Sequence, residues 1–258
     1  MHIETLGDGR PEHTILACVH GDETCGWHAF NRLKDSDVAL KGPVKFILAN
    51  ERAFKLGYRY CDADLNRVMP GDPESARHEE RLAARLGREL AGTKVLDFHS
   101  TESRGSPYAV VTGGDAASFA LARSTGLHRL VDMRFMGGGV TEGVTGVAVE
   151  CGYYDAEDAA TTAHHVLLNF LAAEGLIDRE ATVPTPEVYE VVGEERGRGY
   201  RFVGENFRRV APGDVFAEKN GTVRRADEPF YPVLMSTHGY EERIGFRARR
   251  IEPPGAAE

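Results

Sequence analysis

Cysteine is scarce in this chain, and the four present, Cys18, Cys25, Cys61 and Cys151, include no CxxC pair. That spacing excludes a zinc ribbon and leaves no evident disulfide framework, so the cysteines are expected to be reduced and to pack as small hydrophobes. Long apolar runs are missing too: none approaches the roughly 20 residues that a membrane-spanning helix needs. The first ten residues, Met-His-Ile-Glu-Thr-Leu-Gly-Asp-Gly-Arg, lack the basic start and apolar stretch of a secretory signal. The expected address is cytoplasmic, with no membrane partner. Nor is there a basic excess, because 31 Lys+Arg stand against 40 Asp+Glu for a net charge of -9, and nucleic acid is not an expected partner. An anionic small molecule would need its own local cluster of arginines.

What the chain does have is an ordinary globular balance, 41% hydrophobic and 28% charged, over 258 residues, enough for one large domain or one large and one small. Short apolar runs bounded by turn residues alternate with helical patterns, which predicts an α/β domain. Strands are expected at 14–19, 44–49, 94–98, 108–112 and 146–150, with helices at 22–33, 74–90, 116–124 and 156–173. The second helix is expected to open with Asp72-Pro73, a cap followed by a first-turn proline. Runs such as Thr14-Ile15-Leu16-Ala17-Cys18-Val19 suit strands buried on both faces, hence a sheet covered by helices. After Val183-Pro184-Thr185-Pro186 the pattern shifts to short strand-like runs between glycine and proline turns, at 188–192, 208–210, 215–217 and 233–235. The expected division is a catalytic α/β domain over 1–183 and a smaller β domain over 184–258, ending in a frayed tail.

Four short motifs carry chemistry. His20-Gly21-Asp22-Glu23 follows the first strand, and Asp97-Phe98-His99-Ser100-Thr101 ends the third. Sites in doubly wound sheets form beyond the carboxyl ends of strands, so if these strands are neighbours, His20, Glu23 and His99 converge. Two imidazoles and a carboxylate, with a fourth position left to water, are a catalytic zinc set. Each piece alone is weak, since a His and an acid three apart at a helix start are more often cap and surface than ligands. Asp97 is placed where a ligating imidazole needs a hydrogen-bond acceptor behind it. Between them, the loop Arg59 to Gly71 crowds arginines, an asparagine and acids together, and Asn66 beside Arg67 offers an amide plus a planar fork suited to a carboxylate. Read alone, it is a solvated charged turn in which Arg67 pairs with Asp62 or Asp64. Finally, Glu150 closes the apolar run Val147-Ala148-Val149. A carboxylate there is costly to bury unpaired, so it reaches water or serves as a general base.

With Asn50-Glu51-Arg52-Ala53, these motifs resemble the succinylglutamate desuccinylase/aspartoacylase family of the zinc carboxypeptidase superfamily, in order and approximate spacing across residues 14 to 152. The resemblance implies a central mixed β-sheet covered by helices with a smaller C-terminal β domain, and one Zn2+ per chain on His20, Glu23 and His99. It further implies that Glu150 activates water, that Arg59 polarises the scissile carbonyl, that Asn66 and Arg67 bind a substrate carboxylate, and that Tyr240 enters from the C-terminal domain. Arg134 is the candidate for a further arginine that some members place before the catalytic glutamate. The expected activity is hydrolysis of the amide bond of a small anionic N-acyl amino acid. A zinc carboxypeptidase acting on peptide C-termini would use the same metal and base, and a zinc-binding protein without turnover would need neither Arg59, Arg67 nor Glu150. A homo-oligomer is left open.

Overall fold

A computed structural model describes residues 1–137, 139–154, 157–237 and 242–253. Thirteen strands are described: β1 (His2–Leu6), β2 (His13–Ala17), β3 (Val44–Leu48), β4 (Lys94–Thr101), β5 (Tyr108–Val111), β6 (Arg129–Asp132), β7 (Gly146–Tyr153), β8 (Glu187–Arg196), β9 (Arg201–Phe202), β10 (Val215–Lys219), β11 (Thr222–Arg225), β12 (Tyr231–Val233) and β13 (Arg243–Ile251). Five α-helices accompany them: α1 (Cys25–Lys34), α2 (Glu51–Leu56), α3 (His78–Leu90), α4 (Ala116–Arg123) and α5 (Glu157–Ala173).

Ten strands form one mixed sheet in the order β1-β3-β2-β4-β7-β5-β6-β8-β13-β12. β2 lies parallel to both β3 and β4, and β4 lies parallel to β7. The sheet turns antiparallel between β7 and β5 and again at β8, β13 and β12. A separate antiparallel sheet of three strands, β11-β10-β9, belongs to the C-terminal part of the chain. All five residues of β2 are buried, as expected of a strand covered on both faces.

Alternation along the strands sorts the core into two layers. Ile15, Phe46, Leu96 and Phe98 face a layer shared with Phe30 of α1, Phe119 of α4 and Phe170 of α5. Leu16, Ile47 and Val95 face Leu82, Leu86 and Leu90 of α3. On α1, a Cβ at Gly26 would stand 2.4 Å from Phe98 Cβ, so only glycine lets the helix lie this close to β4.

Two expected helix starts move. α1 begins at Cys25 rather than 22, because residues 20–24 are held as a loop: Gly21 N donates to Arg59 O at 3.0 Å and Glu23 N to His20 O at 3.2 Å. α3 begins at His78 rather than 74, because Asp72 Oδ1 accepts from Glu74 N at 2.9 Å and turns the Asp72-Pro73 segment into an Asx turn. The expected strand at 208–210 is a single bridge between Val210 and Phe230, and the one at 233–235 ends at Val233, where Leu234 takes a φ of 52°. No helix among the described residues is long and apolar enough to cross a membrane.

Candidate active site

The adjacency on which convergence depended is present: β2, β4 and β7 are consecutive parallel strands, and their carboxyl ends open on one edge. His20 and Glu23 sit on the loop leaving β2, His99 is near the end of β4, and Glu150 is its register partner on β7. Gly21 makes the loop possible. A Cβ there would lie 2.3 Å from the Ala53 carbonyl carbon and the Phe54 nitrogen of α2, so any side chain would lift the His20 loop off that helix.

One ligand atom from each of His20, Glu23 and His99 lies within 4.8 Å of the others, and all three residues are buried, a grouping that could hold a metal ion. Both imidazoles turn Nδ1 to the centre of the group. His99 Nδ1 is 2.8 Å and His20 Nδ1 2.9 Å from the Glu23 carboxylate, the latter without hydrogen-bond geometry, which leaves a buried nitrogen with no directed partner. Their Nε2 atoms face outward onto acids: His99 onto Asp97 Oδ2 at 2.9 Å and His20 onto Asp64 Oδ1 at 3.0 Å. A carboxylate behind each imidazole fixes its tautomer and raises its basicity, the arrangement found behind metal-ligating histidines.

The electrostatics of the group favour positive charge. Burial alone would lower the pKa of His99, yet Asp97 and Glu23 hold it well above the usual imidazole value. His20 is likewise raised by Glu23 and Asp64 against the effect of burial. Glu23 is pushed up by burial and pulled further down by the two imidazoles, ending well below the ordinary carboxylate range. The donor set therefore fits a divalent cation on geometry, burial and charge.

Glu150 differs from its neighbours. Its Oε2 is buried and has no hydrogen-bond partner among the described residues. Burial, aided by the Glu23 anion and opposed by His99, His20 and Arg59, pushes its pKa up to about 7. A carboxyl group poised near neutrality can take and return a proton.

The segment from Arg59 to Arg67 is anchored by Glu79, whose carboxylate is fully buried at the start of α3. It accepts from Asn50 Nδ2 at 3.0 Å and from the backbone nitrogens of Cys61, Asp62 and Ala63 at 2.7, 2.9 and 3.1 Å. Those bonds hold its pKa down despite burial. Asn50 in turn caps α2 through Ala53 N. With this loop fixed, Arg59 Nη1 donates to Glu23 Oε1 at 2.7 Å, and Asn66 Oδ1 accepts from Val140 N at 3.1 Å. Arg67 donates to its neighbour's carbonyl, Asn66 O, at 2.8 Å, while Asp64 is turned to His20 and Asp62 accepts from His78 N.

His20, Glu23, Arg59, Asn66, Arg67, His99 and Glu150 all line one cavity of about 700 Å3, a size suited to a small ligand. Tyr240 lies outside the described residues. Arg134 does not line the cavity: its guanidinium is bound to both oxygens of Asp132. The sequence had no signal for Glu79, one acid in a His-Glu-Glu run, nor for Asp64 as the partner of His20, since both contacts depend on how the loop folds back.

Residues 10–134 match the model of the succinylglutamate desuccinylase/aspartoacylase catalytic domain. A succinylglutamate desuccinylase of Shewanella pealeana is 32% identical over 108 residues, a match covering 39% of this chain and 31% of that protein, under a third of the relative's length. Among solved structures, the product-bound ectoine utilization protein EutE (DoeB) of Ruegeria pomeroyi aligns with a TM-score of 0.77 at 20% identity, covering 96% of this chain and 87% of that one. A succinylglutamate desuccinylase/aspartoacylase from Rhodobacter sphaeroides aligns with a TM-score of 0.77 at 17% identity, covering 97% and 89%. Murine aminoacylase 3 aligns with a TM-score of 0.67 at 17% identity, covering 95% and 97%. At these identities the structural likeness speaks for the fold.

Proposed function

We propose that this chain, a member of the succinylglutamate desuccinylase/aspartoacylase family, is a zinc-dependent hydrolase that cleaves the amide bond of a small N-acyl amino acid. The observation that carries the reading is the pairing of a buried His20, Glu23 and His99 group with an unpartnered Glu150 oxygen in one cavity. Zinc held by those three residues would supply Lewis acidity at the carbonyl oxygen and lower the pKa of a water. Glu150 takes a proton from the attacking water at Oε2 and returns it to the departing nitrogen, since an amide nitrogen leaves poorly until protonated. Arg59, already held beside Glu23, places positive charge where the carbonyl oxygen becomes anionic. The Asn66 and Arg67 pair fixes the substrate by its carboxylate, so that the amide is presented in few poses.

Purified protein should hold about one zinc per chain, and His99→Ala should lose most of it. Elemental analysis of both proteins checks this, and equal zinc in the two removes His99 from the ligand set. Free amine should appear from a panel of N-acyl amino acids and not from a panel of peptides. Release from peptides alone would replace the reading with a carboxypeptidase, and release from neither with a binding protein.

A further inference from the structure

The cavity has two unlike walls, one on each side of Glu150. Arg59, Asn66 and Arg67 form the polar one. The opposite wall is Val110 of β5, Met133 beyond β6, Ala148 of β7, Leu234 beyond β12 and Phe246 of β13, with Met136 at its rim. These six belong to a single apolar cluster that binds the middle of the sheet to its C-terminal strands. Along β7, Val147 and Val149 are fully buried toward the other layer, so Ala148 and Glu150 share the cavity face. A small apolar side chain therefore stands next to the proposed base and leaves room beside it.

Among the described residues, the cation on this wall is Arg243, and its charge is already engaged. Its Nη1 lies 3.5 Å from Glu194 Oε2 and 3.8 Å from Met136 Sδ, and its guanidinium is 5.4 Å from the centre of the Phe246 ring. Arg134, the other arginine in this region of the sequence, is bound to Asp132 away from the cavity. Thr112, Thr141 and Ser236 also line the cavity, but a second carboxylate pressed against Val110, Met133 and Leu234 would lose its hydration to side chains that donate no hydrogen bond.

We infer that the substrate is a monocarboxylate with an apolar substituent: an N-acyl amino acid whose branched-aliphatic or aromatic group packs on the Val110, Met133, Leu234 and Phe246 wall while Asn66 and Arg67 hold its carboxylate. The inference rests on the hydrolase reading above and narrows its substrate class. The apolar group is either the acyl chain or the amino-acid side chain, since both flank the scissile amide.

Two substrate series separate these sources, with kcat/KM read by amine release from the zinc-loaded full chain. One varies the side chain of N-acetyl amino acids through Ala, Val, Leu, Phe, Asp and Glu. The other varies the acyl group on alanine through acetyl, butanoyl, hexanoyl, benzoyl and succinyl. One series should rise about fourfold per buried methylene group, with its dicarboxylate member at or below the smallest apolar one. Binding of the same compounds to Glu150→Gln by calorimetry reads recognition without turnover. Dicarboxylates that react or bind best, or flat profiles in both series, overturn the inference. Selective binding of apolar members with no amine release in the wild type supports it and overturns the hydrolase reading instead. Met136→Arg, at the rim, should move the ratio of dicarboxylate to apolar kcat/KM upward by about tenfold or more. That ratio is insensitive to the fraction folded, and no change in it counts against the wall.

Discussion

At the scale of single residues, the site sets groups held by several partners beside a carboxylate oxygen for which the described residues offer none. Asp97, Asp64 and Glu23 are each tied to an imidazole, whereas Glu150, which lines the cavity, keeps a buried oxygen with no hydrogen-bond partner among the described residues. A Gln at 150 is nearly the same shape and cannot accept the proton, so Glu150→Gln should keep its zinc and its fold while turnover falls by about 100 to 10,000-fold. Activity within a few-fold of wild type would remove Glu150 as the base. Arg67 offers a different test. Its fork can meet both carboxylate oxygens, and Lys keeps the charge without the geometry. Arg67→Lys should cost on the order of 1.5 to 3 kcal/mol in kcat/KM for an N-acyl amino acid, and nothing further for the analogue whose carboxylate is amidated. Crossing two enzymes with two substrates yields a coupling energy, and a value near zero would take Arg67 out of recognition. In the surface-turn alternative Arg67 would pair with Asp62 or Asp64; its guanidinium bonds instead to the Asn66 carbonyl, while Asp64 is turned to His20 and Asp62 to α3, although the Arg67 charge still helps to hold the Asp64 pKa down.

Elements decide where those residues end up, and the loop from Arg59 to Arg67 depends on an acid outside it. Both oxygens of Glu79 are used, Oε1 for Cys61 N and Asn50, Oε2 for Asp62 N and Ala63 N. A Gln there has one acceptor oxygen, so Glu79→Gln strands at least one buried backbone donor, at a cost of about 1 to 3 kcal/mol in stability. The loop should then wander. We expect KM for the carboxylate substrate to rise and amide exchange at residues 61–63 to quicken, while zinc content stays the same because none of its three proposed ligands is on this loop. Unchanged KM and unchanged exchange would mean the loop is held by other contacts. Legibility at this scale followed burial. Short apolar runs within β2, β3 and β4 make those strands legible in the sequence, whereas β13 carries four arginines, Arg243, Arg247, Arg249 and Arg250. Arg249 and Arg250 are neutralised across the strand pair by Glu190 and Glu187 of β8. A strand whose charges are paired sideways carries no alternating apolar signal. The late start of α1 has another cause, the bond from Gly21 N to the distant Arg59 O, which no local pattern shows, whereas α3 starts late because of the local Asx turn at Asp72.

For the whole molecule, the order of strands is what turned four motifs into one site, and order is the level the sequence conveys least: the His20 and His99 motifs converge only because β4 lies beside β2. The opposite edge of the sheet has its own charged knot, and it holds the same strands in place. Glu174, just past α5, accepts from His13 of β2 at 3.1 Å, from Lys94 of β4 at 2.6 Å and from Ser124 at the end of α4 at 2.8 Å. The bond from His13, against the smaller effect of burial and with help from Lys94 and Ser124, lowers its pKa to about 2 from an ordinary 4.5. A depressed acid contributes stability that is fully present above the unfolded-state pKa and is lost as pH falls through the folded one. The contribution of Glu174 should therefore be complete above about pH 4.5 and fade towards about pH 2. Glu174→Gln keeps the shape and removes the charge, and at pH 7 it should cost on the order of 1.5 to 3 kcal/mol, lowering Tm by roughly 2 to 4 °C for each kcal/mol in a chain of this size. Because the carboxylate of the unfolded chain protonates first and that of the folded chain only near pH 2, the gap between the two proteins should narrow from about pH 4.5 downward and be mostly closed by about pH 2. Thermal unfolding of wild type and mutant across that range, in constant ionic strength, measures the difference directly. A gap of the same size at pH 7 and at about pH 2 would show that Glu174 acts by packing, and that β2, β4, α4 and α5 are joined at this edge by shape instead of charge.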